Sequence, residues 1–268
     1  MFEEPITVRP PAVAGRFYPG EPEALQQNVN ELLAQARGAV AKASAPPRAL
    51  ILPHAGYPFS GAVAACGYEQ VRAQSDRIRR ILLLGPAHFA AVRGAALPAA
   101  EALASPLGTV PIDTELRERA LEDPDVHMDD SAHAPEHSLE VHLPFLQTLF
   151  PGAEILPLIF GRIAPQRCGA LIERLWDPDV LVVVSTDLSH FHDDATARRI
   201  DAQTTAAIES CSFEPITPEH ACGAAPLRGL LWLARKNGLQ VETLAQANSG
   251  DVTGDRSAVV GYGCYVLH

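Results

Sequence analysis

Short apolar runs alternate with amphipathic stretches along most of this chain. Arg48 to Leu52 and Arg79 to Leu84 are compact apolar runs, the pattern of strands buried on both faces. Between them, Gly61 to Val71 carries Ala62, Ala65, Tyr68 and Val71 at helical spacing. Strand, crossover helix and strand in that order predict parallel pairing. Glu154 to Phe160 reads as a further strand, with Pro157 indicating an edge or a bulge. Val180 to Val184 is the most β-branched run, and Gln240 to Ala247 and Ser257 to Leu267 are the last strand candidates.

Helices are predicted over Glu21 to Ala41, Asp113 to Glu122, His137 to Phe150, Arg167 to Trp176, Ala195 to Ser210 and Pro226 to Lys236. In the first, Leu25, Val29, Leu32, Leu33 and Ala36 form the apolar face; Asp113 or Thr114 caps the second. Arg9 to Gly20 is rich in Pro, Gly and aromatics and reads as an ordered coil, since Phe17 and Tyr18 need cover from water. Phe89 to Pro111 suggests short strands and turns, and Val126 to Pro135 a polar surface or site-lining loop. With no repeat or linker in view, the expectation is one α/β domain over residues 1–268, a central mainly parallel sheet flanked by helices.

Charge narrows the function. Lys and Arg total 21 against 32 Asp and Glu, a formal net charge of -11, which argues against a nucleic-acid binder. No apolar segment is long enough to cross a bilayer, so no membrane partner is expected. The start, Met1-Phe2-Glu3-Glu4-Pro5, is acidic and shows no signal-peptide pattern. Five scattered cysteines with no C-x-x-C pair suit a reducing, cytoplasmic location.

The chemistry gathers where strands end. His54, His88 and His190 each follow an apolar run by a few residues, and open α/β sheets bind ligands beyond the carboxyl ends of their strands. Taken singly, each imidazole needs no more than a loop carbonyl; taken together, they indicate a site. Asp187 is either a carboxylate orienting an imidazole or a cap for the next helix. In Glu136-His137-Ser138-Leu139-Glu140-Val141-His142 the histidines lie five apart, so at most one faces the site, and His137 at the entry is favoured. Cys222 sits in a turn that opens a helix, where backbone N–H groups would lower its pKa and offer a thiolate, or it is a small apolar filler like the other four cysteines.

These motifs resemble, in order, those of the Memo family, also called component B of the AmmeMemoRadiSam system. Pro53-His54-Ala55-Gly56-Tyr57, Gly85-Pro86-Ala87-His88, Glu136-His137-Ser138, Ser185-Thr186-Asp187 with His190, and Cys222-Gly223 carry the likeness, which spans nearly the whole chain. The resemblance implies a fold like the class III extradiol dioxygenases of the LigB type. It implies His54, His88 and Cys222 as metal ligands, with Asp187, His190 and His137 as acid–base or substrate-contacting groups. A thiolate in place of the dioxygenase carboxylate favours Fe(II) in another redox role, with copper or zinc as further fits. It also implies a radical S-adenosylmethionine protein and an AMMECR-type protein as partners, and a small-molecule substrate; a homo-oligomer is compatible with it. The rival it allows is a non-catalytic metal-handling or phosphopeptide-binding protein that uses an inherited dioxygenase cleft.

Overall fold

Four mainly apolar strands meet at the centre of the computed structural model, which describes residues 6–268. The acidic Met1 to Pro5 stretch lies outside the described residues. In chain order the elements begin β1 (Val8–Arg9), α1 (Pro22–Ala39), β2 (Ala49–Leu52), α2 (Ala62–Val71) and β3 (Arg80–Pro86). Next come β4 (Ala95–Leu97), β5 (Ala102–Ser105), β6 (Gly108–Pro111), α3 (Thr114–Leu121), β7 (Val126–Met128) and α4 (Asp130–His133). The middle of the chain gives α5 (Leu143–Leu149), β8 (Glu154–Phe160), α6 (Pro165–Leu175) and β9 (Val180–Ser185). The last part holds β10 (His190–His192), α7 (Asp194–Glu209), α8 (Ala224–Asn237), β11 (Val241–Asn248), α9 (Gly250–Thr253) and β12 (Val259–Leu267).

The α/β class is as expected, and the sheet is parallel only at its heart. The main sheet runs β10-β12-β2-β9-β3-β8-β4-β7, with β11 beside β12. Strands β2, β9, β3 and β8 are mutually parallel, whereas β12 on one side and β4 on the other join antiparallel. β2 and β3 do run parallel, but β9 lies between them. That insertion shapes the candidate site, because three neighbouring strands then end at about one level, at Leu52, Ser185 and Pro86. Every residue of β2 and β9 is buried, as a parallel sheet covered on both faces requires. Helices α6 and α8 pack together beside β3 and β9, while α1, α2 and α5 form a second group around β2 and β12. One hydrophobic core runs from Val13 to Leu267.

Several sequence expectations are corrected. The helix expected from His137 starts only at Leu143, because Pro144 fits the first turn of a helix but not its interior. Glu136 to Leu139 is therefore non-helical and free to lie across the strand ends. Pro157 sits at a local edge, as expected: β8 pairs with β3 along its whole length, but β4 reaches only Ile159 and Phe160, so Pro157 has one strand neighbour. Val126 to Pro135 is not merely a polar loop. It holds β7 and α4, and its His133 is buried with Nε2–H donating to the Ala96 carbonyl at 2.9 Å.

Arg9 to Gly20 is ordered, as expected, and the cause is a buried carboxylate. Glu140 accepts from the Ala12 and Val13 amides at 2.7 and 2.9 Å and from the Tyr18 hydroxyl at 2.6 Å, and it pairs with the Arg9 guanidinium. Arg9 also donates to the carbonyls of His133, Ala134 and Glu136. Both charged side chains are out of water. Removing one partner of such a pair strands the other charge, so Glu140→Ala should cost about 3–5 kcal/mol of unfolding free energy. Glu173→Ala, which breaks the exposed pair with Lys236, should cost no more than about 1 kcal/mol. Urea unfolding of both variants checks this; equal, small losses would contradict it.

Candidate metal centre

Two residues beyond β2 stands His54, two beyond β3 stands His88, and Cys222 comes from the turn before α8. Their ligand atoms all lie within 4.8 Å of one another. His54 Nε2 is 3.3 Å from Cys222 Sγ, and the two imidazole centroids are 5.2 Å apart. His137 stacks on His88 at 4.8 Å and meets His54 edge-on at 5.6 Å. His88, Glu136 and His137 form a second, overlapping group of donor atoms.

Each of the three converging side chains is held from behind. The His54 amide donates to Asp187 Oδ1 at 2.8 Å, while its Nδ1 lies 2.7 Å from the Ser185 hydroxyl. His88 donates twice to Glu136, from its amide at 2.7 Å and from Nδ1 at 2.9 Å, which turns Nε2 away from the carboxylate. Cys222 Sγ accepts from the Asp187 amide at 3.2 Å, and the Gly223 amide donates to Thr186 Oγ1 at 2.8 Å. A side chain at position 223 has no room, because a Cβ there would come within 2.6 Å of the Ser185 carbonyl oxygen. Gly85 plays the same part on β3, where a Cβ would meet Ser138 Oγ at 2.9 Å.

Burial and neighbouring charge set the protonation states. Burial, reinforced by the Asp187 carboxylate, pushes the Cys222 thiol up to about 12. That reverses the direction expected from its place at a helix start: desolvation outweighs the local N–H groups, and a positive charge is needed to draw the proton off. Burial drives His54 well below the usual imidazole range, and the neighbouring histidines add to it, so it is neutral. Burial raises Asp187 to about 7 against the opposing His54 amide and His88. Burial would also raise Glu136, but hydrogen bonds and charge from His88, with the Ser138 amide, hold it down at about 2.

The structure brings His54, His88, Cys222, Asp187 and His137 together. His190 is at the margin: its Nδ1–H donates to the Leu188 carbonyl at 2.8 Å, and it belongs to neither donor group, although its charge is felt at His54. Asp187 does not cap α7; Asp193 does, accepting from the Thr196 amide at 3.1 Å, which leaves Asp187 to His54. Of the two histidines five apart, His137 faces the cluster and His142 lies behind it, 3.0 Å from the Ser185 hydroxyl. Sequence reasoning quoted Glu136 and Ser185 inside motifs but gave them no role. A carboxylate next to a site histidine was the available signal for Glu136; for Ser185 there was none, since its contacts depend on β9 lying between β2 and β3.

Comparison with known proteins places the chain in a family. The model of the family described as "Memo-like protein" matches residues 9–266. The chain belongs to this family. A "MEMO1 family protein" of Aquifex aeolicus is 35% identical over 272 residues, covering 96% of this chain and 98% of that one. Relatives in Methanothermobacter thermautotrophicus and Methanopyrus kandleri are each 34% identical, covering 95% and 97% of this chain and 98% of their own length. Among solved structures, an uncharacterized protein of Escherichia coli K12 shares the fold at a TM-score of 0.55 and 16% identity, over 81% of this chain and 98% of that one. Among the described residues of this Memo-like protein, no helix is long and apolar enough to cross a membrane.

Two acid-sensitive groups follow from the burial around the cluster. Burial lowers His142 to about 3 and His133 to about 4, from an ordinary 6.5. Between pH 6.5 and those values the unfolded chain takes up protons that the folded one refuses, so unfolding free energy falls as pH falls through that window. Urea midpoints at pH 7.5, 6 and 5 should drop in that order, and His142→Phe should flatten the slope. A midpoint that is constant or rises on acidification contradicts the assignment.

Proposed function

We propose that this Memo-family chain is a metal-dependent redox protein whose cation is held by His54, His88 and Cys222. The single observation that carries the reading is the convergence within 4.8 Å of donor atoms from two strand ends and from the turn before α8. The donor set fits the group. Two imidazoles with their Nδ1 atoms engaged elsewhere, plus one sulfur, suit a borderline-soft transition ion; Fe(II) is the first choice, with copper and zinc next. Bound there, such an ion supplies Lewis-acid and electron-transfer chemistry.

The chain's own groups do the rest. Asp187, held near 7 by burial, stores or yields a proton at neutral pH within 4.0 Å of His54 Nε2. His137 and His190 are the other acid–base groups beside the cluster. Phe89 and Phe191, 60% and 78% exposed, follow His88 and His190 directly and offer apolar contact to a small substrate. A radical S-adenosylmethionine protein and an AMMECR-type protein are the partners proposed from the resemblance of the motifs. The cytoplasm is the setting that suits an unpaired Cys222.

Protein prepared without air and analysed for metals should hold one transition ion per chain. His54→Ala and Cys222→Ser should each lose it, whereas Cys168→Ala, a buried filler in α6, should keep it. Full metal in both site variants overturns the ligand set. Loaded protein should then consume oxygen with catechols; tight metal binding with no uptake would favour metal handling over catalysis.

A further inference from the structure

The Ser185 hydroxyl sits at a three-way junction that leaves only one arrangement of protons. Its Oγ is 2.6 Å from the Ser138 carbonyl oxygen, 2.7 Å from His54 Nδ1 and 3.0 Å from His142 Nε2. A carbonyl oxygen only accepts, so the single Ser185 proton goes to Ser138. Both remaining contacts must then bring their own protons, because two lone pairs at 2.7 Å repel. His54 therefore carries its proton on Nδ1, and His142 carries its proton on Nε2. His142 Nδ1 is left bare and accepts from the Tyr68 hydroxyl at 2.9 Å. Tyr68 is fully buried in α2 and stacks on Phe145, so the string has no outlet to water at that end. It does not lead protons out; it holds them in place.

We infer that Ser185 is a positioning residue: directed by the Ser138 carbonyl, it fixes His54 in the Nδ1–H tautomer with the Nε2 lone pair turned toward Cys222. His142 and Tyr68 complete the junction from behind. Burial makes the arrangement rigid, since Ser138, Ser185 and His142 are all shut off from solvent, where an unpaired N–H has no water to turn to. The tautomer stands on hydrogen-bond geometry alone. Its consequence for cation binding rests on the reading of His54 as a ligand.

The test uses nitrogen-15-labelled full-length protein treated with a chelator, with two-bond proton–nitrogen correlation spectra of the imidazoles at pH 8. His54 should show a protonated Nδ1 and a bare Nε2, and His142 the reverse. Ser185→Ala should abolish the fixed pattern at His54 and weaken Zn(II) binding about 10–100-fold, the range for losing an orienting partner. Ser185→Thr, which keeps the hydroxyl, should restore the pattern. An Nε2–H His54 in the unaltered protein overturns the inference, whether or not the variants fold. So does an Ser185→Ala protein with tautomer and affinity both unchanged. If instead the tautomer is as stated but His54→Ala retains its metal, the ligand reading fails and the junction stands.

Discussion

A carboxylate taken out of water must be given donors, and one ten-residue stretch, from Arg9 to Tyr18, gives Glu140 all four of its partners. The remaining Arg9 donors go to carbonyls of His133, Ala134 and Glu136, so the same contact that satisfies Glu140 pins the segment ahead of it. That segment supplies the Glu136 carboxylate behind His88 and the Ser138 carbonyl behind Ser185. His54 and His88 are thus backed by a segment held in place by an ion pair that touches neither. Glu140 is where the amino-terminal stretch is fastened to the segment that carries Glu136 and Ser138.

The two carboxylates nearest the imidazoles are made opposite in character by their surroundings. Glu136 receives N–H groups from His88, His137 and Ser138, and it is ionised throughout the physiological range. Asp187 is buried as well, and the Cys222 sulfur beside it brings no positive charge, so it sits near neutrality. One is a fixed negative charge that orients a ring; the other can change charge with its surroundings. Cys222, raised by the same burial, shares the second condition. The negative charge available to a cation is therefore concentrated on the His88 side, with Asp187 and Cys222 able to add to it by giving up protons.

What could be read from the sequence was whatever lies in local pattern. The strand runs ending near His54, His88 and Asp187 were visible because a buried parallel strand has to be apolar throughout, and the ordered motifs marked the family. The order of strands was not visible, since no local pattern says that Val180–Ser185 will lie between the two earlier strands; that is a long-range choice made by packing. Pro157 was readable for a local reason, since a residue without an N–H fits where β8 has a strand on one side only. The helix at His137 was overextended because apolar periodicity runs through residues that Pro144 forbids from continuing a helix backward. Cys222 was placed well and its acidity misjudged: position at a helix start is readable, but depth of burial is not.

His54 and Cys222 lie 168 residues apart in the chain, yet their side chains are in contact. Any ion that gripped both would close a loop of that length, worth roughly 5 kcal/mol in a chain-entropy account of a permanent cross-link. Such a clasp cannot form on a partly assembled sheet, because β2, β9 and the start of α8 must all be in place first. Loading would then act as a late seal on the fold: the protein would release its ion as it unravels and unravel more readily when the ion is taken away. On that footing, resistance to unfolding would follow metal supply, and a chelator would act on the whole sheet rather than on one corner of it.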